Sequence, residues 1–288
     1  MTPSAFNYAR AATVEEALAL LAEHDNARLL AGGHSLIPAM KLRLDDPALL
    51  VDVSRISTLS QITLHDNRLC IGALVTHRAV EASTLVQAQC GALAEAAGGI
   101  GDPQVRNRGT LGGSLAHADP AADYPALVLA LDADIIVSGA TGKRTVGADD
   151  FFCGLFETAL QDGEMITEAH FPCLGAQEGA SYAKHASPAS KYAVVGVAAY
   201  VAVDATGQCT GARIGITGAA THAFRAEEAE MRLVGKQLNA SVVDDAVAGI
   251  ADPRDMLSDI GASSEYRAHL CSVMAKRAVS AAAAEAMG

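Results

Sequence analysis

The first fifty residues combine one amphipathic helical pattern with two short apolar runs. Thr13-Val14-Glu15-Glu16 has the form of a capping box, and apolar side chains follow it at helical spacing, which predicts a helix to about His24. The apolar runs at 27–30 and 49–53 predict buried strands, with a short helix over 36–44 between them. We therefore expect residues 1–53 to form a compact unit with a parallel sheet.

Residues 54–175 show shorter elements separated by turn signals. Asp66-Asn67 predicts a turn between two strands within 59–73. The other elements predicted in this segment are helices that begin at Thr76 and span 84–97 and 124–131, a hairpin around Thr141-Gly142 and a strand over 165–171. This segment is expected to be a second subdomain.

The pattern changes after Pro172, where strand-like alternation over 179–218 is followed by three helical stretches over 221–285. Antiparallel strands followed by helices are typical of a separate α+β domain. The sequence thus predicts an α+β protein with units at 1–53, 54–175 and 176–288.

Composition narrows the possible functions. Lys and Arg number 21 and Asp and Glu 33, so the net charge is −12, which argues against binding to nucleic acid or an anionic membrane. No apolar run is long enough for a membrane span and the N-terminus lacks a signal-peptide pattern, so a cytoplasmic location is expected. The six cysteines form no CxxC motif, so any redox metal centres are expected in another chain.

Two glycine-rich loops carry the most specific chemical signal. They are Ala31-Gly32-Gly33-His34-Ser35, between a predicted strand and a helix, and Thr110-Leu111-Gly112-Gly113-Ser114. Paired glycines allow backbone N–H groups to approach an anion closely, and a helix N-terminus adds partial positive charge. Two such loops fit a diphosphate held from both sides; the alternative is two tight turns that bind nothing.

Neighbouring polar residues have open roles. Arg106 and Arg108 either support the second loop through ion pairs, reach an acidic partner or are surface charges. Asp123 either caps the helix that follows it or bonds to a ribityl or ribose hydroxyl. His117 and Asp119 are a weak metal-ligand pair, and no Rossmann, P-loop or nucleophile-elbow motif is complete. No catalytic residue and no metal ligand is predicted.

The motifs AGGHSLIPAMKLRL and VRNRGTLGGSLAHADPAADYPA, about 80 residues apart, resemble those of the FAD-binding medium subunit of molybdenum hydroxylases. This family includes carbon monoxide dehydrogenase, quinoline oxidoreductase and the nicotine and caffeine dehydrogenases, with xanthine dehydrogenase more distant. The resemblance covers nearly the whole chain, including LVDVSRI and Ser264-Glu265-Tyr266-Arg267. It implies a two-subdomain FAD-binding fold of the vanillyl-alcohol-oxidase/PCMH type and a C-terminal α/β domain.

The resemblance also implies roles for individual residues. The FAD diphosphate is expected between the two glycine loops, with Gly101 and Asp123 nearby, Leu160 and Met165 on the adenine side, and Lys184 and Tyr192 beside the isoalloxazine. The implied site residues are Ala31, Gly32, Gly33, His34, Ser35, Gly101, Thr110, Leu111, Gly112, Gly113, Ser114, Asp123, Leu160, Met165, Lys184 and Tyr192. A tyrosine face suits stacking on a flavin, and a lysine suits a negatively charged reduced flavin. Relatives often carry an acidic residue where this chain has Lys191.

The implied activity is electron transfer within a complex. A large subunit with a molybdopterin cytosine dinucleotide cofactor would hydroxylate a substrate, with a weak preference for an N-heterocycle, and a small subunit with two [2Fe–2S] clusters would deliver electrons to this FAD. The flavin would reduce an external acceptor, and the assembly is expected to be a dimer of heterotrimers. Two alternatives stay open: a self-contained FAD oxidoreductase and a structural nucleotide-binding scaffold.

Overall fold

The first sheet is parallel, as predicted. A computed structural model describes residues 2–288 and places the N-terminal strands in the order β1-β3-β2. The elements are β1 (Asn7–Arg10), α1 (Val14–Glu23), β2 (Ala27–Leu30), α2 (Leu36–Lys41) and β3 (Leu49–Asp52). The predicted capping box is confirmed, since the Glu16 N–H donates to the Thr13 hydroxyl at 3.2 Å. Helix α2 ends three residues early, because Arg43 adopts a left-handed φ of 62°.

The second sheet is antiparallel, has five strands and holds the largest core. Its strand order is β4-β5-β10-β6-β7, and the predicted turn at Asp66-Asn67 is confirmed by positive φ at both residues. The elements are β4 (Ile62–His65), β5 (Arg68–Gly72), α3 (His77–Ala82), α4 (Thr84–Gln89), α5 (Gly91–Gly98), α6 (Pro103–Arg106), α7 (Leu111–His117), α8 (Tyr124–Ala130), β6 (Asp134–Gly139), β7 (Gly142–Gly147), α9 (Ala148–Phe151), β8 (Phe152–Gly154), β9 (Glu157–Thr158) and β10 (Met165–Pro172). The single helix predicted over 84–97 is wrong: Cys90 leaves the helical conformation and a new helix starts at Gly91.

The third sheet is antiparallel, in the order β11-β12-β13-β14. Its elements are β11 (Glu178–Ala186), β12 (Ala193–Val203), β13 (Cys209–Thr217), β14 (Phe224–Arg225), α10 (Glu227–Leu233), α11 (Ala240–Val247) and α12 (Ser264–Met287). The three predicted helices are confirmed. The alanine-rich α12 packs so closely on β11 that a Cβ on Gly179 would overlap the carbonyl oxygen of Ala282.

The opposite face of this third sheet packs against the second segment of the chain. A Cβ on Gly215 would lie 3.0 Å from the carbonyl carbon of Ala126 in α8. Alternate residues of β12 therefore join different cores: Val197 packs with α12, and Ala198 packs with α8. The mixed α+β fold class is as predicted, while the unit boundaries at 53 and 175 stay a prediction. No helix within residues 2–288 has both the length and the apolar character to span a bilayer.

Candidate functional site

The first glycine loop connects β2 to α2 and presents unpaired backbone donors. Gly33 has a φ of +73°, a conformation that a side chain disfavours. Within the described residues 2–288, the N–H groups of Gly32, Gly33, His34 and Ser35 donate to no other protein atom. His34 is exposed, and its Nδ1 lies 3.2 Å from the carbonyl oxygen of Gly32. Four consecutive amides are thus available to an anionic ligand.

The second glycine loop differs, because most of its amides are already bonded. Leu111 and Gly112 donate to the carbonyl oxygens of Val75 and Ala73, both at 2.9 Å. The N–H of the exposed Gly113 donates to the Thr110 hydroxyl, which caps α7, at 3.1 Å. The expectation that both loops offer free amides is therefore correct only for the first loop. In the second loop, the first amides are hydrogen-bonded to the backbone of residues 73–75. Its exposed part is Gly113, followed by the half-buried Ser114.

The first loop directly contacts the two residues that precede the second loop, although the segments are far apart in sequence. A Cβ on Gly32 would overlap the carbonyl oxygen of Arg108 and lie 2.9 Å from the Cα of Gly109. Glycine at position 32 is therefore required for this approach. The contact brings the predicted anion-binding segments into one site.

The glycine turn at Gly101 is held beside the second loop. Gly101 has a φ of +48°, and the Arg106 guanidinium donates to the carbonyl oxygen of Ile100 at 3.1 Å. The same side chain also pairs with Glu81 at 3.2 Å. Arg106 therefore forms an ion pair, as one of its predicted roles requires, but the part of the chain that it supports is this turn and not the second loop itself. The Arg108 side chain is exposed.

A buried histidine lies behind the second loop. His77 is 5% exposed, its Nδ1 is 3.3 Å from the Tyr124 hydroxyl, and a Cβ on Gly109 would come within 2.6 Å of its Nε2. Burial, with smaller contributions from His34 and Arg106, lowers the pKa of His77 to about 4. The imidazole is therefore neutral near pH 7 and supports the loop by packing.

Asp123 does not cap α8, because it already has α-helical backbone angles and its side chain points elsewhere. Its Oδ1 accepts a hydrogen bond from the Tyr182 hydroxyl at 2.6 Å and lies 2.8 Å from the Lys184 Nζ. The carboxylate is 4% exposed. Burial raises the pKa of Asp123, and the ammonium of Lys184 opposes that rise.

Lys184 connects this carboxylate to two backbone segments. Its Nζ donates to the carbonyl oxygens of Gly99 and Lys191, both at 2.9 Å. With Asp123, these contacts engage all three N–H donors of the ammonium group. Lys191 has a left-handed φ of 64°, and Tyr192 follows it directly.

Tyr192 extends from this segment toward the first glycine loop. Burial and the charges of Asp119 and Asp123 raise the pKa of Tyr192, and the nearby Ser35 side chain partly offsets the rise. Its side chain is still 43% exposed. Part of Tyr192 is therefore accessible to a ligand beside the free amides.

The remaining predicted residues have other contacts. Leu160 is half-buried against the second core, and Met165 is 3% exposed in the core of the N-terminal sheet. His117 packs against Phe156 with ring centroids 5.2 Å apart and ring planes tilted by 46°, and Asp119 accepts a hydrogen bond from the Ala121 N–H at 2.9 Å. His117 and Asp119 therefore have structural partners.

Sequence reasoning missed two supporting side chains, Tyr182 and His77. Tyr182 and Lys184 are two residues apart on β11, so strand alternation places them on one face and was a usable signal. Nothing local marked His77, because its contacts with Gly109 and Tyr124 join distant parts of the chain.

Comparison with known families agrees with this architecture. Residues 4–174 match the family described as the FAD binding domain in molybdopterin dehydrogenase. Residues 180–282 match the CO dehydrogenase flavoprotein C-terminal domain. The chain therefore belongs to the FAD-binding medium-subunit family of the molybdenum-dependent dehydrogenases, and the predicted family is confirmed.

Individual relatives match over their whole length. The carbon monoxide dehydrogenase medium chain of Hydrogenophaga pseudoflava is 39% identical, with 98% of each chain covered. The 6-hydroxypseudooxynicotine dehydrogenase complex subunit alpha of Paenarthrobacter nicotinovorans is 36% identical, covering 98% of this chain and 96% of the relative. A chain of quinoline 2-oxidoreductase from Pseudomonas putida 86 superposes with a TM-score of 0.93 at 33% identity, with both chains fully covered. The protein is thus an oxidoreductase component with an FAD-binding domain.

Proposed function

We propose that this chain binds FAD across the two glycine loops and transfers electrons within a heterotrimeric molybdenum hydroxylase. The observation that supports this most strongly is the run of four unpaired amides at 32–35, packed against the residues that lead into the second loop. A diphosphate needs several donors at short range, and backbone amides supply them in an acidic protein without using a charged side chain. The residues present therefore fit the cofactor that defines the family.

The two loops have different roles in this proposal. The amides of Gly32, Gly33, His34 and Ser35 bind diphosphate oxygens directly. The second loop contributes the Thr110 and Ser114 hydroxyls and the Gly113 N–H, which exchanges its bond to Thr110 for one to the ligand. Ala31, Leu111 and Gly112 shape the backbone of the site, and Gly101, Leu160 and Met165 are assigned to its edges.

The side chains from β11 and the following loop set the flavin position. Tyr192 offers its face for offset stacking on the isoalloxazine. Lys184 already has three oxygen partners, so we assign it a positioning role: it ties Asp123 to the segment that carries Tyr192. The positive charge of Lys184 near the ring still favours a negatively charged reduced flavin.

The bound FAD supplies the redox chemistry, accepting single electrons and delivering pairs. This chain's own residues bind, orient and shield it. We propose that a large molybdenum subunit hydroxylates the substrate and a small [2Fe–2S] subunit supplies electrons. The final acceptor is external, and the complex is a dimer of heterotrimers. An N-heterocycle is the proposed substrate class, consistent with the named activity of the quinoline and 6-hydroxypseudooxynicotine relatives.

The test is to express the full chain with its candidate partner subunits, purify the complex and measure its flavin content. Substrate-dependent reduction of an external dye is expected for the complex and absent when the molybdenum subunit is omitted. Turnover by this chain alone would instead indicate a self-contained oxidoreductase. Flavin that stays oxidised while the complex turns over would indicate a scaffold role.

A further inference from the structure

A second cluster of ligand-type side chains lies on the second sheet, away from the proposed flavin site. Cys70 on β5 and Glu168 and His170 on β10 place a thiol, a carboxylate and an imidazole within 4.8 Å of one another. We propose that these residues bind a divalent transition metal of the zinc type, clamping β5 to β10.

Strand register brings the three groups together. His170 is directly opposite Cys70 in the antiparallel ladder, and Glu168 is two residues earlier on the same face. A β-bulge between Ile166 and Glu168 in the pairing of β10 with β6 precedes the cluster. Bulges commonly redirect side chains next to binding sites.

The donor set suits zinc better than magnesium or calcium. Thiolate and imidazole are the ligands of borderline-soft cations, and three protein ligands with one water complete a tetrahedral site. The His170 Nε2 lies 2.6 Å from the Glu168 Oε2, which is a hydrogen-bond distance. A metal replaces that contact and needs roughly 3.3 to 3.6 Å between ligand atoms, a small side-chain adjustment.

The proposed metal site is closed to solvent on the side of Cys70 and open to solvent on the side of His170 and Glu168. Cys70 is 7% exposed, whereas the His170 and Glu168 side chains are 25% and 37% exposed, so an ion can enter from solvent. Burial, and then the charge of Glu168, raise the pKa of Cys70, so the free thiol keeps its proton. Metal binding must displace that proton to solvent, which makes binding pH-dependent.

The neighbouring positive charge of Arg68 is engaged through its Nη2, whereas its Nε is buried without a hydrogen-bond partner in residues 2–288. Arg68 donates to Asp134 at 2.5 Å and to the carbonyl oxygen of His170 at 3.1 Å. Its guanidinium therefore faces Asp134 and fixes the backbone at His170.

The cluster lies on the face of the sheet opposite to the second glycine loop. Leu69 and Ile71 pack into the core shared with Leu111 and Leu115 of α7, so Cys70 points to the other side. The proposed ion joins β5 to β10, and its binding can be measured independently of flavin content.

The test uses the full-length chain, stripped with a chelator and titrated with Zn²⁺ or Co²⁺ alone. We expect one Zn²⁺ per chain to survive dialysis, a rise in melting temperature on Zn²⁺ addition, and a thiolate-to-cobalt charge-transfer band with Co²⁺. Cys70→Ala should abolish that band, and His170→Ala and the near-isosteric Glu168→Gln should each weaken Zn²⁺ binding by roughly tenfold or more.

The matched controls are Cys153→Ala, which removes an exposed cysteine, and His65→Ala, which removes an exposed histidine; both should bind as the wild type does. Melting in chelator identifies any variant that fails to fold. The cobalt band is measured on the wild-type chain, so misfolding of a variant cannot affect it. Absence of this band overturns the proposal. Zn²⁺ retention by Cys70→Ala equal to that of the wild type overturns it as well.

Discussion

Gly32 in the first glycine loop touches Arg108, two residues before the second loop, and no side chain larger than hydrogen fits at position 32 without moving the Arg108 carbonyl. This contact fixes the spacing between the four free amides of the first loop and the capped start of α7. A ligand that spans both loops depends on that spacing.

Gly32→Ala should therefore separate the loops and strongly reduce FAD retention while the sheets stay intact. The measurement is the flavin-to-protein ratio of the purified complex, with far-ultraviolet circular dichroism to check the fold. Gly91→Ala is the matched control, because a Cβ there has no neighbour within 4 Å. Equal flavin content in the two variants would contradict a diphosphate site between the loops.

Tyr192→Ala should weaken FAD binding about fivefold, corresponding to the ~1 kcal/mol of an offset aromatic stack. Tyr192→Phe keeps the ring and should bind nearly as the wild type does. Flavin fluorescence titration of the reconstituted complex gives the dissociation constants. If Phe and Ala weaken binding equally, the hydroxyl near Ser35 matters and the stacking role is wrong.

Breaking the Asp123–Lys184 pair should cost about 3–5 kcal/mol of unfolding free energy, because either single change leaves a buried group without its partner. Lys184→Met leaves a carboxylate whose pKa burial already raises, so this variant should gain stability as the pH falls and that carboxyl is protonated. The double variant Asp123→Asn/Lys184→Met should recover part of the loss.

Chemical denaturation provides these free energies. Lys276→Met is the control, because its ammonium pairs with Asp244 on the surface and such pairs contribute at most about 1 kcal/mol. A loss in Lys184→Met no larger than in this control would show that the buried pair does not hold the Tyr192 segment.

His77 predicts a specific acid sensitivity. Its pKa is about 4 in the folded chain, against about 6.5 when unfolded, so the unfolded state takes up a proton first as the pH falls. The contribution of His77 to the free energy of unfolding is thus fully present above about pH 6.5. It is lost between that pH and pH 4, and the loss amounts to roughly 3 kcal/mol.

His77→Gln should flatten this part of the stability profile, whereas replacing the exposed His24 with glutamine should leave it unchanged. Urea denaturation at a series of pH values checks this. An unaltered slope in His77→Gln would assign the acid sensitivity to other groups.

Local signals made much of the fold predictable. The Thr13 cap and the Asp66-Asn67 turn act within a few residues, and the structure has both where the sequence predicts them. The Asp123 side chain could not be placed in this way: helix capping was one local option, but a lysine 61 positions later on β11 determines its contacts.

The same reason explains the asymmetry of the glycine loops. Their sequences look equivalent, yet residues 73–75 occupy the amides of only one of them. A contact between segments more than thirty residues apart leaves no trace in the pattern of either segment. The resemblance to a family indicated which cofactor to expect, and the contacts show which loop has unpaired N–H donors.

The close approaches of Gly179 to Ala282 and of Gly215 to Ala126 sandwich one thin sheet between two helices, one of which comes from the first family domain. Cutting the chain near residue 175 would remove α8 from this sheet and expose the face around Gly215 to water. The two halves are consequently unsuited to separate expression. A larger residue at Gly179 or Gly215 would push the neighbouring helix away from the sheet and displace Lys184 and Tyr192 together.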